Sequence, residues 1–315
     1  MPLRKDDNER WKPQSRARVP PRLRLGLVST GLLVALIPVP TLRSAAPVVA
    51  DDGYGELVLV PAGAFRMGDN FGDGESRERA AHVVELDAYY IGKYEVTNGQ
   101  WRKFRDDAGY DDPKYWPGRR PFPKDLNPYW MQANNHGGGT PGSDNYPVIG
   151  VNWDSATAFC NWLSAKTGKT YRLPTEAEWE KAARGADQRR YPWGNSIDST
   201  YANFVGTQKF DTVREVGFFD GSQRGELKTH SNASPYGAFD MAGNLMEWCQ
   251  DWYSRDYYSV SPRKNPKGPA DGAYKVVRGG SFFVESFDLR SYGRSAAWPS
   301  LQGHRMIGFR VVREP

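Results

Sequence analysis

Thiols and imidazoles are scarce in this chain of 315 residues, which holds two cysteines, Cys160 and Cys249, and four histidines. His82, His136, His230 and His304 are scattered and show none of the spacings that hold zinc. No phosphate-cradling glycine loop follows a strand. His136-Gly137-Gly138-Gly139 resembles an esterase oxyanion loop, but no Gly-x-Ser-x-Gly nucleophile elbow accompanies it, so it reads as a turn. Positive charge is missing where a nucleic acid would need it. The net charge is +5, yet the first 50 residues hold nine Lys and Arg against three Asp and Glu, leaving 33 against 34 in the other 265. A near-neutral body offers no general phosphate-neutralising surface, and no nucleic acid is expected as a partner.

Long apolar runs are missing too. The run over residues 25–37 has 13 residues and is broken by Pro38 and Pro40, whereas a helix needs about 20 to cross a bilayer core of roughly 30 Å. Basic residues precede it, and Val48-Val49-Ala50 and Asp51-Asp52 follow, the order of a secretory signal. Residues 1–50 are therefore expected to be a signal peptide and the protein to be periplasmic or secreted. An uncleaved leader would be its one hold on a membrane. Export permits a disulfide, and closing the 89 residues between Cys160 and Cys249 would contribute about 4–5 kcal/mol. Both cysteines sit in apolar stretches that suit two buried thiols equally well, so the pairing stays open.

What the chain has in quantity is aromatic side chains and turn formers: 11 Trp, 17 Tyr, 33 Gly and 23 Pro. That mixture suits a coil-rich α+β fold held by aromatic packing. No composition break or internal repeat divides residues 54–315, which predicts a single domain. Strands are expected at 56–61, 82–91, 274–278 and 307–313, with a turn at 62–64. Three helices carry caps. Thr97 precedes one with Trp101 and Phe104 on a shared face. Asp154 opens another over 155–166, with Gly168 beyond it. Thr175 and Glu178 form a capping box for the third, which Gly185 ends. The acids of these helices are expected to be exposed, favoured by the positive N-terminal dipole. Residues 106–150 read as a long loop.

Two segments carry chemistry. Asp240-Met-Ala-Gly-Asn-Leu-Met-Glu247 gathers acidic oxygens and carbonyls around a Gly-Asn turn, the hard-oxygen surroundings that calcium needs, or an Asx-type turn with its glutamate on backbone amides. Arg278-Gly279-Gly280-Ser281, followed by Arg290, Arg294 and Gly308-Phe309-Arg310, fits either a groove whose arginines clamp carboxylates or a set of internal ion pairs.

Taken in order, the motifs resemble a family. They are Pro147-Val-Ile-Gly-Val-Asn-Trp153-Asp154, Ala158-Phe-Cys-Asn-Trp162-Leu163, Arg172-Leu-Pro-Thr-Glu-Ala-Glu-Trp179-Glu180, Tyr191-Pro-Trp-Gly-Asn195, Tyr236-Gly-Ala-Phe-Asp240, Gly243-Asn-Leu-Met-Glu-Trp248, Arg278-Gly-Gly-Ser281 and Gly308-Phe-Arg310. The chain is similar to the formylglycine-generating enzyme (sulfatase-modifying factor) family, which includes ergothioneine-synthesis C–S enzymes and pyoverdine-maturation proteins. The likeness runs from about residue 57 to 313 and implies a C-type-lectin-like fold. It also implies structural Ca²⁺. One site would use the Asp240 and Glu247 side chains with the Gly243 and Leu245 carbonyls, and another Asn203, Phe204, Asp220 and Ser222.

The departure concerns copper. The family's oxidases bind it through a cysteine pair a few residues after Gly-Gly-Ser. Here that stretch reads Phe282-Phe-Val-Glu285-Ser-Phe-Asp288-Leu-Arg290, with no thiol, and hard oxygen donors do not replace thiolates for Cu(I). No copper and no copper-dependent formylglycine formation are expected. The expectation is an accessory or binding module for a peptide, protein or small-molecule ligand. The alternative is a copper-free tailoring enzyme of the pyoverdine-maturation type, with Glu285 or Asp288 as acid–base groups and Ser281, Arg290 and Arg294 lining a substrate groove. A true formylglycine-generating oxidase is the third reading.

Overall fold

Burial of aliphatic and aromatic side chains builds the first sheet. Leu57, Val58 and Val60 of Glu56–Val60 (β2) are buried, as are Tyr89 and Ile91 of Tyr89–Gly92 (β5). The computed structural model describes residues 49–116, 144–206, 212–301 and 304–315. Residues 1–48 of the expected leader, His136 with its glycines, and most of the expected long loop lie outside them. Residues Ser44–Pro315 make one compact unit.

Five short strands pair antiparallel in the order β1 (Val49–Asp51), β2, β5, β13 (Val312–Arg313) and β6 (Tyr171–Arg172). A second sheet orders β11 (Ser295–Ala297), β10 (Lys275–Arg278), β9 (Met246–Trp252) and β12 (Ile307–Gly308), with β12 parallel to β9. β3 (Gly63–Met67) pairs with β4 (His82–Leu86), and β7 (Gln223–Arg224) with β8 (Leu227–Lys228). The result is the coil-rich α+β fold that the sequence predicts.

Three strand expectations change. The stretch 82–91 divides into β4 and β5, which enter different sheets. They part at Asp87, whose amide and carboxylate are both bound by the Asn265 side chain. The stretch 307–313 divides into β12 and β13, with Arg310 turned into the interior between them. Gly63 begins β3 instead of making a turn.

Helix α1 (Asn98–Arg105) has its capping box at Thr97 and Gln100 and buries Trp101 and Phe104. Helix α2 (Trp153–Thr167) starts earlier than Asp154 implies. Asn152 is the cap, its side chain accepting from the Ser155 amide, and Asp154 lies in the first turn. Gly168 closes α2 at φ +69°, a left-handed conformation open to glycine at no steric cost. Helix α3 (Glu176–Arg184) carries the expected Thr175–Glu178 box. Rings of α1 and α2 form one apolar core, with Trp101–Phe104 centroids 5.2 Å apart and Phe104–Phe159 5.8 Å. Trp179 of α3 belongs to a second core, between the strands.

The acids of α3 are not exposed. All nine residues of the helix are buried, Glu180 completely. A buried carboxylate is tolerable where a cation and hydrogen bonds replace its water, and each acid here has an arginine. Arg294 grips Glu176 at 2.7 and 2.9 Å, Arg172 grips Glu178 at 2.6 and 2.7 Å, and Arg278 and Arg184 meet Glu180 at 2.5 and 3.0 Å. The dipole argument fails because it prices these acids as solvated.

The disulfide option closes as well. Cys160 and Cys249 are free thiols in separate apolar clusters, one on α2 and the other on β9. Each is packed among its own neighbours, with no sulfur opposite.

Asp251 on β9 is buried and accepts from the Glu176 amide at 2.9 Å. Burial first, and Glu176 next, push its carboxyl from 3.8 up to about 8. Across that window the folded protein holds a proton that the unfolded chain has lost, so this group's contribution to stability falls as pH rises. Asp251→Asn keeps an acceptor for the amide and removes the titration. The urea midpoint of the wild type should therefore fall more steeply than the variant's between pH 5 and pH 8; parallel profiles would refute the assignment.

Candidate functional site

The segment after β10 is shaped by two glycines. Gly279 and Gly280 have φ of +96° and +67°, and a Cβ on Gly280 would lie 2.7 Å from the Leu289 side chain. Only glycine lets the chain turn this closely. Beyond it, the Ser281 hydroxyl is buried and accepts from the Phe283 amide at 3.3 Å. Phe282 donates its amide to the Asn244 carbonyl at 2.9 Å, and the Val284 carbonyl accepts from Val205 at 2.9 Å. A short 3₁₀ turn, Ser286–Leu289, follows. It is tied from beneath: the Tyr191 hydroxyl donates to the Ser286 carbonyl at 3.2 Å, and Arg290 Nε to the Phe287 carbonyl at 2.6 Å.

These ties hold a ridge out to solvent. Phe283 is 56% exposed and Phe287 43%. Glu285 and Asp288 are exposed between and beside them, and neither carboxylate has an ion pair among the described residues. The Arg305 guanidinium lies 5.2 Å from the Phe283 ring centre. Arg290 supports Phe287 from inside, 3.4 Å from that ring's centre.

The structure brings the expected clamp arginines together, but inward. Arg290 and Arg294 are each 1% exposed. Arg290 meets Glu78 at 3.2 Å and Asp73 at 3.3 Å, and Arg294 is spent on Glu176. With Ser281 also buried, the groove residues serve as struts between the ridge, α3 and the loop carrying Asp73 and Glu78. The exposed members of the expected set are Glu285 and Asp288.

The calcium expectation meets the same obstacle. Asp240 adopts φ +58° in its turn and is buried. Its oxygens accept from Asn232 at 2.9 Å and from the Gly217 amide at 2.6 Å. Glu247 accepts three bonds on two oxygens, 2.6 and 2.7 Å from Arg310 and 2.8 Å from the Trp179 indole. Glu95 lies buried nearby, with Asn244 donating to it at 2.9 Å. Burial first, then Asp240 and Glu247, push its carboxyl well above the usual range and favour its neutral form. A guanidinium thus supplies the positive charge to the very oxygens that a calcium ion would take, and the residues as placed do not fit that ion. In the other expected set, Asn203 donates to the Thr212 carbonyl at 2.8 Å while exposed Asp220 accepts from Ser222 and Arg224 at 2.8 and 3.0 Å. Phe204 packs in part against the cluster around Tyr191 and Leu289. Among the described residues, no three His, Cys, Asp or Glu converge on a metal position.

Sequence reasoning missed one arrangement. Tyr191, Trp193, Tyr201 and His230 stack in succession, with centroids 5.6, 5.2 and 4.7 Å apart. His230 Nδ1 lies 2.7 Å from the Thr200 hydroxyl, itself 2.5 Å from Asp198. The Tyr-x-Trp spacing at 191–193, with Tyr201 eight residues on, was the available signal; His230 comes from a later loop.

If Arg290 is a strut, Arg290→Ala removes the nearer cation of buried Glu78 and leaves, among the described residues, only Arg77, at 3.9 Å, at a cost of about 1–3 kcal/mol. Urea unfolding should show that loss, and a variant as stable as the wild type would restore Arg290 to ligand binding. Because protein donors already serve the Asp240 and Glu247 oxygens, the melting temperature should be equal in EDTA and in millimolar calcium chloride. A rise with calcium would show that those oxygens re-form around the ion.

Comparison with known proteins agrees with this architecture. Residues 45–315 match the family model described as "Sulfatase-modifying factor enzyme 1-like domain". A formylglycine-generating enzyme of Thermomonospora curvata is 33% identical, over 82% of this chain and 93% of that protein. The serine/threonine-protein kinase pkn1 of Chlamydia caviae is 34% identical over 82% of this chain, which spans only 38% of the kinase's length. The solved structure of PvdO from Pseudomonas aeruginosa superposes with a TM-score of 0.66 at 26% identity, covering 86% of this chain and all of that one. A family model matching residues 45–315 and a formylglycine-generating enzyme 33% identical over 93% of its length place the chain: it belongs to the sulfatase-modifying factor (formylglycine-generating enzyme) family.

Proposed function

We propose that this chain is an exported binding module of the family, which engages a protein or peptide through the ridge at 283–288 and does not make formylglycine with copper. The observation that carries this reading is the position of sulfur. Cys160 and Cys249 are 1% and 0% exposed, lie in separate apolar clusters, and burial pushes both thiols up, away from the thiolate that Cu(I) binds. The ridge supports the binding half. Two neighbouring phenyl rings held half out of the core, on a segment braced by Tyr191, Arg290 and Val205, support an interaction surface there. The unpaired carboxylates of Glu285 and Asp288 favour a second reading, a copper-free tailoring enzyme in which they would move protons on a bound peptide.

Given Cu(I), oxygen and a Cys-x-Pro-x-Arg peptide, the purified protein should yield no aldehyde by mass spectrometry. Turnover would refute the proposal. A thiol reagent should label neither cysteine in the native protein and both after denaturation. Phe283→Ser should leave the melting temperature nearly unchanged, whereas a large drop would assign that ring to the core.

A further inference from the structure

A cleft of about 370 Å³ opens where α3 begins, and it shares no lining residue with the ridge. Its size suits a small molecule, for which pockets of roughly 300–1,000 Å³ are usual. Leu86, Ala88 and Pro266 give it apolar lining, and Asp87, Arg172, Glu178, Lys267 and Glu314 give it charged lining. Most of those charges are spoken for. Arg172 holds Glu178 with both terminal nitrogens and has Glu314 3.6 Å from Nε. Asp87 is bound by Asn265 and has Lys264 at 3.7 Å. Lys267 differs: it lines the cleft, and its ammonium has no carboxylate within ion-pairing distance among the described residues.

The loop presenting Lys267 is fixed. Asn265 adopts φ +45° and bonds Asp87 with both ends of its amide, while its own N–H donates to the Glu85 carbonyl at 2.9 Å. Gly268, at φ +76°, is wedged so that a Cβ would fall 2.7 Å from that of Asp251. Arg263 forks onto Glu85 at 2.6 and 2.9 Å. Across the cleft the Gln250 side chain is exposed and without a hydrogen bond among the described residues, leaving an amide N–H₂ for a second acceptor.

We infer that this cleft is a binding site for a small organic carboxylate, its apolar body against Leu86 and Pro266 and its carboxylate between Lys267 and Gln250. A cation would meet an unpaired ammonium there, and its natural counter-charges, Asp87, Glu178 and Glu314, are already engaged. The inference is independent of the ridge and of any metal chemistry.

Amide shifts of ¹⁵N-labelled protein, titrated with phenylacetate and separately with phenethylamine, test it. Phenylacetate should shift Thr175, Gln250 and Lys267 saturably at millimolar concentration, and phenethylamine should not. Lys267→Met should weaken phenylacetate roughly threefold to fivefold, as expected for one partly exposed charge pair, and Lys267→Arg should retain it. Lys267 is exposed and makes no side-chain bond among the described residues, so both variants should melt like the wild type. Absence of a saturable shift at the cleft, an equal response to the amine, or unchanged affinity in Lys267→Met would each overturn the inference.

Discussion

Everything in this molecule depends on carboxylates that have been taken out of water. Helix α3 places Glu176, Glu178 and Glu180 in the interior, where an ionised acid is intolerable alone and acceptable beside a guanidinium. Arg172 comes from β6, Arg278 from β10 and Arg294 from the stretch before β11, so three parts of the chain must converge on α3 before all of its acids are satisfied. In a fold with short strands and much coil, that requirement does what long ladders do elsewhere. It fixes where each loop passes, and it penalises any arrangement that leaves one partner behind.

The same constraint governs the surface at the expected active segment. Arg290 is consumed by Glu78 and Asp73 beneath the 3₁₀ turn, and Tyr292 adds a 2.6 Å bond to Asp73. The turn is therefore nailed down from inside, and its outward residues are free of structural duty. A position with no partner to satisfy can change without loss of stability.

Much of this was legible in the sequence. The cap at Thr97, the capping box at Thr175 and the glycine stops at 168 and 185 were legible, because caps are local chemistry. The collinear motifs gave the fold. What escaped was everything set by pairing at a distance. Glu176 and Glu180 look like ordinary solvated helix acids until Arg294 and Arg278 arrive from a hundred residues away. Asp240 and Glu247 look like calcium ligands until Arg310 is seen between the two sheets. A sequence shows which groups are charged, and only the folded chain shows which charge each one faces.

That asymmetry bears on what the fold can host. Removing a metal from a site normally leaves carboxylates in mutual repulsion, and a scaffold that depends on the ion fails with it. Here Arg310 and the Trp179 indole neutralise and hydrogen-bond Glu247, Asn232 and the Gly217 amide serve Asp240, and Glu95 is pushed toward its neutral form. The interior balances its own charge. In such an interior the placement of α3, β9 and the Arg310 turn follows from the protein's own charges. Family membership then fixes the frame, and function has to be read from the unpaired groups that the frame leaves over: Phe283, Glu285 and Asp288 on one surface, Lys267 and Gln250 on another.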